Sequence, residues 1–136
     1  MIEIIVRGYH LDGYQHVNNA RYLEFLEEAR WECMSDDMST LVKHNAGFVV
    51  VNININYRSP GLLHQHLIVE SQISKLGENS GVVAQIIRCK ETGNVVIDAQ
   101  TTFVLFDLKK NTVLPIAGDL KECLVFCQQR LLERTK

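Results

Sequence analysis

Hydrophobic positions recur along the chain with two periods. Alternation by two marks strands, and spacing by three and four marks helices. Residues 2–10 alternate, with Ile2, Ile4 and Val6 on one face and Glu3, Ile5 and Arg7 on the other, which predicts an opening strand. Residues 11–19 are rich in turn formers and read as a loop. A helix is expected from Asn18 or Asn19 to about Met34, because asparagine is a strong N-cap whose side-chain oxygen accepts a free N–H of the first turn. Tyr22, Phe25, Leu26, Ala29 and Cys33 form its apolar stripe. Trp31 falls nearly opposite, which implies that this face is also covered, by more protein or by a partner subunit.

Residues 35–45 are polar and broken, with a short helical turn expected over 40–44. Residues 47–58 give a strong strand signal, with Val51, Ile53, Ile55 and Tyr57 alternating against Asn52, Asn54 and Asn56. Three more strands are expected over 67–76, 82–90 and 95–108, joined by short turn-rich links into an antiparallel meander. A last helix is expected to begin near Asp119, where Glu122 three residues on resembles a capping box. Leu120, Leu124, Cys127 and Leu131 are its stripe. Strands grouped around one main helix predict an α+β domain with an antiparallel sheet over residues 1–136.

Composition narrows the class of molecule. With 136 residues, 46% hydrophobic and 22% charged, this is one ordinary globular domain rather than a disordered, collagen-like or coiled-coil chain. No apolar run approaches the ~18–20 residues of a membrane span. The start is strand-like and lacks an export signal, so a cytoplasmic location is expected. The net charge of −2 argues against a general grip on nucleic acid. Without an export signal, Cys33, Cys89, Cys123 and Cys127 are read as small apolar packing residues rather than a disulfide framework.

Several chemistries lack their motif. There is no GxGxxG, P-loop, GxSxG or HExxH. His64 and His66 share a strand face, but no third ligand accompanies them, and no metal or cofactor is expected.

The segment from Asp12 to Asn19 offers more. An acid sits in a loop that runs directly into a helix N-terminus. A carboxylate there can serve as general base or nucleophile. The free N–H groups and positive end of the helix can hold a developing oxyanion. Read from the residues alone, Asp12 as a turn former and Asn18 and Asn19 as simple caps is the commoner arrangement.

The run His10-Leu11-Asp12-Gly13-Tyr14-Gln15-His16-Val17-Asn18-Asn19-Ala20-Arg21-Tyr22-Leu23-Glu24-Phe25, continuing through Glu27-Glu28-Ala29-Arg30, resembles the signature of the hotdog-fold acyl-CoA thioesterases. More narrowly it is similar to the 4-hydroxybenzoyl-CoA thioesterase family, whose pattern is an Asp, then Gly-His-Val-Asn-Asn, then a Tyr on the central helix. The strand with Arg58-Ser59-Pro60 at its end and the remaining strand order fit the same family.

The resemblance implies a hotdog: an antiparallel five-stranded sheet wrapped around the helix, plus a C-terminal helix. It implies a homodimer joined sheet edge to sheet edge, homotetramers beyond that, and active sites between subunits. Asp12 matches the catalytic carboxylate, and the Asn19 N–H matches the group that polarises the thioester carbonyl. His16, Asn18, Tyr22 and Arg58 are the expected substrate-binding residues, with Arg88 and Lys90 as further grips for the CoA phosphates. Glu24, Glu27 and Glu28 are rival acids, since another hotdog branch uses a helix carboxylate. Gln15 stands where many members carry Gly, a residue that permits a positive φ.

The implied reaction is hydrolysis of an acyl-CoA to free acid and CoA, with long fatty chains favoured by the resemblance. Aryl-CoA or acyl carrier protein thioesters, and an acyl-CoA binder without activity, are the alternatives.

Overall fold

The computed structural model describes residues 1–134, and its elements follow the hydrophobic pattern closely. In chain order they are β1 (Ile2–Ile5), a 3-10 turn (Gly8–His10), α1 (Asn19–Met34), a 3-10 turn (Ser35–Asp37), α2 (Met38–Lys43), β2 (Ala46–Tyr57), β3 (His66–Leu76), β4 (Gly81–Cys89), β5 (Val95–Asp107), β6 (Thr112–Leu114) and α3 (Gly118–Arg134). The sheet is antiparallel throughout, in the order β1-β3-β4-β5-β2, with β6 paired to the far end of β5.

Strict alternation in β4 buries Val83, Gln85, Ile87 and Cys89 on one face. That face carries α1, which buries Tyr22, Phe25, Leu26, Ala29, Arg30, Cys33 and Met34. The stripe expected from sequence is therefore the buried one. Trp31 lies on the open side, its indole N–H donating to Glu27.

Four expectations are corrected. The opening strand ends at Ile5, because the chain then turns: the Arg7 N–H donates to the His10 ring at 2.9 Å and closes the 3-10 turn. The sheet has six strands, not five. Asp107 accepts the N–H groups of Lys109 and Lys110, Asn111 adopts φ 55°, and the chain folds back as β6.

In β2, the register slips between Val50 and Asn52, so Val51 is a bulge and is 57% exposed. It does not share the face of Ile53, Ile55 and Tyr57. The last correction concerns the cap of α3, which starts at Gly118. Ala117 supplies the carbonyl that accepts the Lys121 N–H, so Asp119 is not the cap. The Asp119 carboxylate instead meets Lys43 and His44 beside α2. All four cysteines are free and buried, and burial pushes the Cys123 and Cys127 thiols up to about 12.

The core is split in two. One cluster gathers Val17, Tyr22, Leu26, Val69, Ile87 and Ala99 near the start of α1. The other gathers Cys33, Met34, Ile73, Val83, Phe103 and Leu124 near α3. Between them, one residue per element is polar: Ser71 on β3, Gln85 on β4, Thr101 on β5 and Arg30 on α1. The Gln85 amide nitrogen donates to the Leu26 carbonyl and to Ser71 Oγ, both at 3.0 Å. Its oxygen accepts from Arg30 Nη1 at 3.1 Å.

Candidate active site at the start of the central helix

The loop before α1 is closed by its own backbone. Leu11 and Val17 form an antiparallel bridge, the Asp12 N–H donates to the His16 carbonyl at 2.8 Å, and the Asn18 N–H donates to the His10 carbonyl at 2.8 Å. Asp12 Oδ1 accepts the N–H groups of Tyr14 at 2.8 Å and His16 at 3.2 Å. One oxygen of the half-buried carboxylate is thus spent on the loop. Oδ2 has no hydrogen-bond partner among the described residues, and it faces no competing cation there.

Asn18 caps α1 as expected: its side chain accepts from the Ala20 N–H at 2.9 Å, and its carbonyl accepts from Arg21 at 2.9 Å. The first turn is then satisfied except at Asn19. The Asn19 N–H has no acceptor among the described residues and is exposed at the positive end of a helix of 16 residues.

Tyr22 lies one turn further in and is buried. Its hydroxyl accepts the Gly61 N–H at 2.9 Å, while the Gly61 carbonyl accepts the Val17 N–H at 3.0 Å. The turn after β2 is thereby clamped to both the loop and the helix. Burial pushes the Tyr22 phenol above its ordinary range, and the Asp12 charge adds to the rise. The Asp12 carboxylate and the Tyr22 ring therefore share one electrostatic neighbourhood.

The other expected residues divide. The His16 ring makes no hydrogen bond among the described residues, and only its backbone holds the loop. Arg58 is tied to Asp98, which also accepts from Asn56, and these two partners hold the Asp98 carboxyl below its ordinary value. Arg88 pairs with Glu70 and Lys90 with Glu3. All three basic residues thus have carboxylate partners within the chain. Glu24 pairs with Arg21, Glu27 accepts from Trp31, and Glu28 is exposed, so the rival acids form the outer helix face. His66 pairs with Glu91 on the surface, and His64 sits in a turn at φ 70°.

Two contributors escape a reading of the sequence. His10 is buried, stacks edge-on against Phe25 with ring centroids 5.1 Å apart, and has its pKa lowered chiefly by that burial. Gly61 has no motif of its own. Only its N–H and C=O bonds, made across the fold, reveal it.

Gln15 has φ 67°, the conformation that a glycine adopts without strain. Gln15 thus holds the positive φ that the expected Gly permits.

A strip of apolar residues on β2 leads away from this loop. The inner face of β2 presents Phe48, Val50, Ile53 and Ile55, each only partly buried, and exposed Tyr57 at the end nearest Tyr22, with ring centroids 6.0 Å apart. Ile55 packs against the core cluster that holds Tyr22 and Leu26, and Phe48 against the one that holds Phe103. At the far end of the strip lies a small cleft lined by Arg30, Met34, Phe48 and Val83 among others.

The chain is similar to several known proteins. The model of the thioesterase-like superfamily matches residues 6–124. The long-chain acyl-CoA thioesterase FadM of Escherichia coli is 54% identical over 124 residues, covering 90% of this chain and 94% of that protein. The crystal structure of YbaW from Escherichia coli superimposes with a TM-score of 0.87 at 51% identity, over 96% of this chain and 97% of that one. The PA2801 protein of Pseudomonas aeruginosa gives 0.79 at 25% identity, over 90% and 95%. The curled antiparallel sheet around one long helix is the hotdog fold, and the chain belongs to the thioesterase-like superfamily.

Proposed function

We propose that the protein is an acyl-CoA thioesterase that hydrolyses long-chain fatty acyl-CoA to free fatty acid and CoA. The reading rests on one juxtaposition: a carboxylate with a free oxygen, Asp12, on the closed loop that delivers an unpaired N–H, Asn19, at a helix start. Similarity to FadM, a long-chain acyl-CoA thioesterase, supports the substrate class.

In this reading, the thioester carbonyl oxygen lies on the Asn19 N–H. Asp12 then either takes a proton from the attacking water or attacks the carbonyl carbon itself to give a mixed anhydride. The tetrahedral oxyanion is stabilised by the helix N-terminus, and the CoA thiolate leaves. The acyl chain lies along the apolar strip of β2, with Tyr22 and Tyr57 at its start. Asn18 acts by holding the helix start, and His16 by holding Asp12. Arg58, which follows the end of β2, reaches the CoA phosphates by exchanging Asp98 for them.

The two-protomer arrangement is part of the proposal. Strand β2 has 12 residues and pairs on one side only, with β5. A long edge with Val49 and Val51 exposed is a template for another strand. We read it as the dimer seam, with tetramers built from such dimers and the active site in the cytoplasm. No helix among the described residues is long and apolar enough to cross a membrane.

The deciding experiment is release of CoA thiol from acetyl- to palmitoyl- and oleoyl-CoA, with benzoyl-CoA and an acyl carrier protein thioester beside them. Wild type should prefer the long chains. Asp12→Asn keeps an oxygen for the Tyr14 and His16 N–H groups, so it should stay folded and lose about 10²–10⁴-fold in kcat. Single turnover in ¹⁸O-water identifies the nucleophile route where Asp12 becomes labelled, since that label requires water to attack the aspartyl carbonyl of a mixed anhydride. A wild type that binds these thioesters and turns over none ends the enzyme reading.

A further inference from the structure

The apolar strip of β2 changes character along its length. Ile55 stands opposite Ala99 on β5, and Ile53 opposite Thr101. Val50 then stands opposite Phe103, and Phe48 opposite Leu105. Two small partners give way to two large ones, so the volume packed beside the strip rises toward Phe48.

Phe48 rests on a fixed support. Its ring stacks on that of Phe103, with centroids 4.2 Å apart and planes at 23°. Phe103 is fully buried, and its ring lies against the Gly81 backbone, where an added Cβ would stand 2.5 Å from it. Phe103 therefore has no room to retreat. Beyond Phe48, Met34, Ile73 and Val83 help to line a cleft of about 10 Å³, room for one water molecule at most. The strip thus ends at a wall.

The distance from the site to this wall can be measured along two elements. Helix α1 runs from Asn19, the oxyanion donor of the reading above, to Met34, which lines the same cleft as Phe48. That is about 22 Å at a rise of ~1.5 Å per residue. The strip from Ile55 to Phe48 matches β5 from Ala99 to Leu105, about 20 Å at ~3.3 Å per residue. A saturated chain with bonds of ~1.5 Å advances about 1.25 Å per bond, so this length holds an acyl group of roughly sixteen to eighteen carbons.

We propose that Phe48 sets the upper limit of acyl chain length, by closing the distal end of the acyl site against the methyl terminus of the chain. The inference rests on the thioesterase reading above and on the acyl path along β2. Phe48 meets only the end of the chain and leaves the reaction at the thioester unchanged.

The test compares kcat/KM of the purified protein for lauroyl-, palmitoyl- and eicosanoyl-CoA, each below its micelle concentration. Wild type should favour palmitoyl- over eicosanoyl-CoA by about tenfold or more, since the surplus methylenes meet the wall. Phe48→Leu shortens the side chain, and the eicosanoyl-to-palmitoyl ratio should rise about tenfold. Phe48→Trp enlarges it, and the palmitoyl-to-lauroyl ratio should fall about tenfold. Ratios are the readout because damage to the fold or to Asp12 lowers all three substrates together.

A wild type that takes eicosanoyl-CoA as well as palmitoyl-CoA overturns the proposal, because the strip then has no wall. Ratios unmoved in the folded variants overturn it too. Phe48→Leu is the milder change, and it decides alone if Phe48→Trp does not fold. A wild type active on palmitoyl-CoA with unmoved ratios in the variants defeats this inference only. One inactive on all three thioesters defeats the thioesterase reading with it.

Discussion

The Tyr22 hydroxyl accepts the Gly61 N–H at 2.9 Å across 39 positions of sequence. This bond fastens the first turn of α1 to the turn that follows β2. Because the Gly61 carbonyl also accepts the Val17 N–H, the loop carrying Asp12 is held from both of its neighbours.

Tyr22→Phe removes the acceptor and strands a buried N–H, at a cost of about 1–3 kcal/mol. Gly61→Ala acts on the same joint by crowding: a Cβ there would stand 2.9 Å from Val17 and 3.1 Å from the Tyr22 hydroxyl. Both variants should lower the urea midpoint, and both should lower kcat more than they raise KM. Unchanged midpoints would show that the joint is not under tension from either side.

Asn19→Pro tests the helix start without disturbing the helix. Proline is well accepted at the first helical position, and Asn18 already has the extended φ −60°, ψ 135° that a following proline requires. The substitution deletes the one free N–H. The expected outcome is a loss of about 10²–10³ in kcat with an unchanged far-ultraviolet circular dichroism spectrum. Full activity would place the oxyanion elsewhere.

Gln15→Gly should stabilise the protein. At φ 67° an L side chain costs about 1–2 kcal/mol, and glycine is free of that strain. Part of the gain is lost to the greater freedom of glycine in the unfolded chain. A rise in melting temperature of a few degrees is the expected result, and a fall would mean that the Gln15 side chain is held by something outside the single chain.

His10 makes stability depend on pH. Burial lowers its folded-state pKa below the ordinary 6.5, and its Nδ1 must be unprotonated to accept the Arg7 N–H. The unfolded chain then takes up a proton near 6.5, and the folded chain only at lower pH. The contribution is whole above that value and declines as pH falls through it toward the folded value. His10→Asn offers an oxygen that does not titrate. Melting temperatures from pH 8 to pH 5 should fall more steeply in wild type than in this variant, and parallel curves would remove His10 from the account.

How much of this was legible in the sequence follows from the range of the interactions. Tyr22, Phe25, Leu26, Ala29 and Cys33 announced the buried face of α1, because a helix repeats its environment every three to four residues. The Asn18 cap, the meander of β3, β4 and β5 and the Asp12 loop were equally visible, since each is settled by neighbours in sequence. Val51 broke the alternation unseen, because a bulge is decided by the register with β5. The return of β6 also depended on its partner strand.

The site itself shows the same division. The sequence by itself determined which acid stands before which helix. Only the tertiary structure decided that Gly61 clamps Tyr22 and that Arg30 meets Gln85 from 55 positions away. Those outcomes depend on groups far apart in the chain, whose meeting is fixed by sheet order and packing. A local pattern of polar and apolar residues does not encode it.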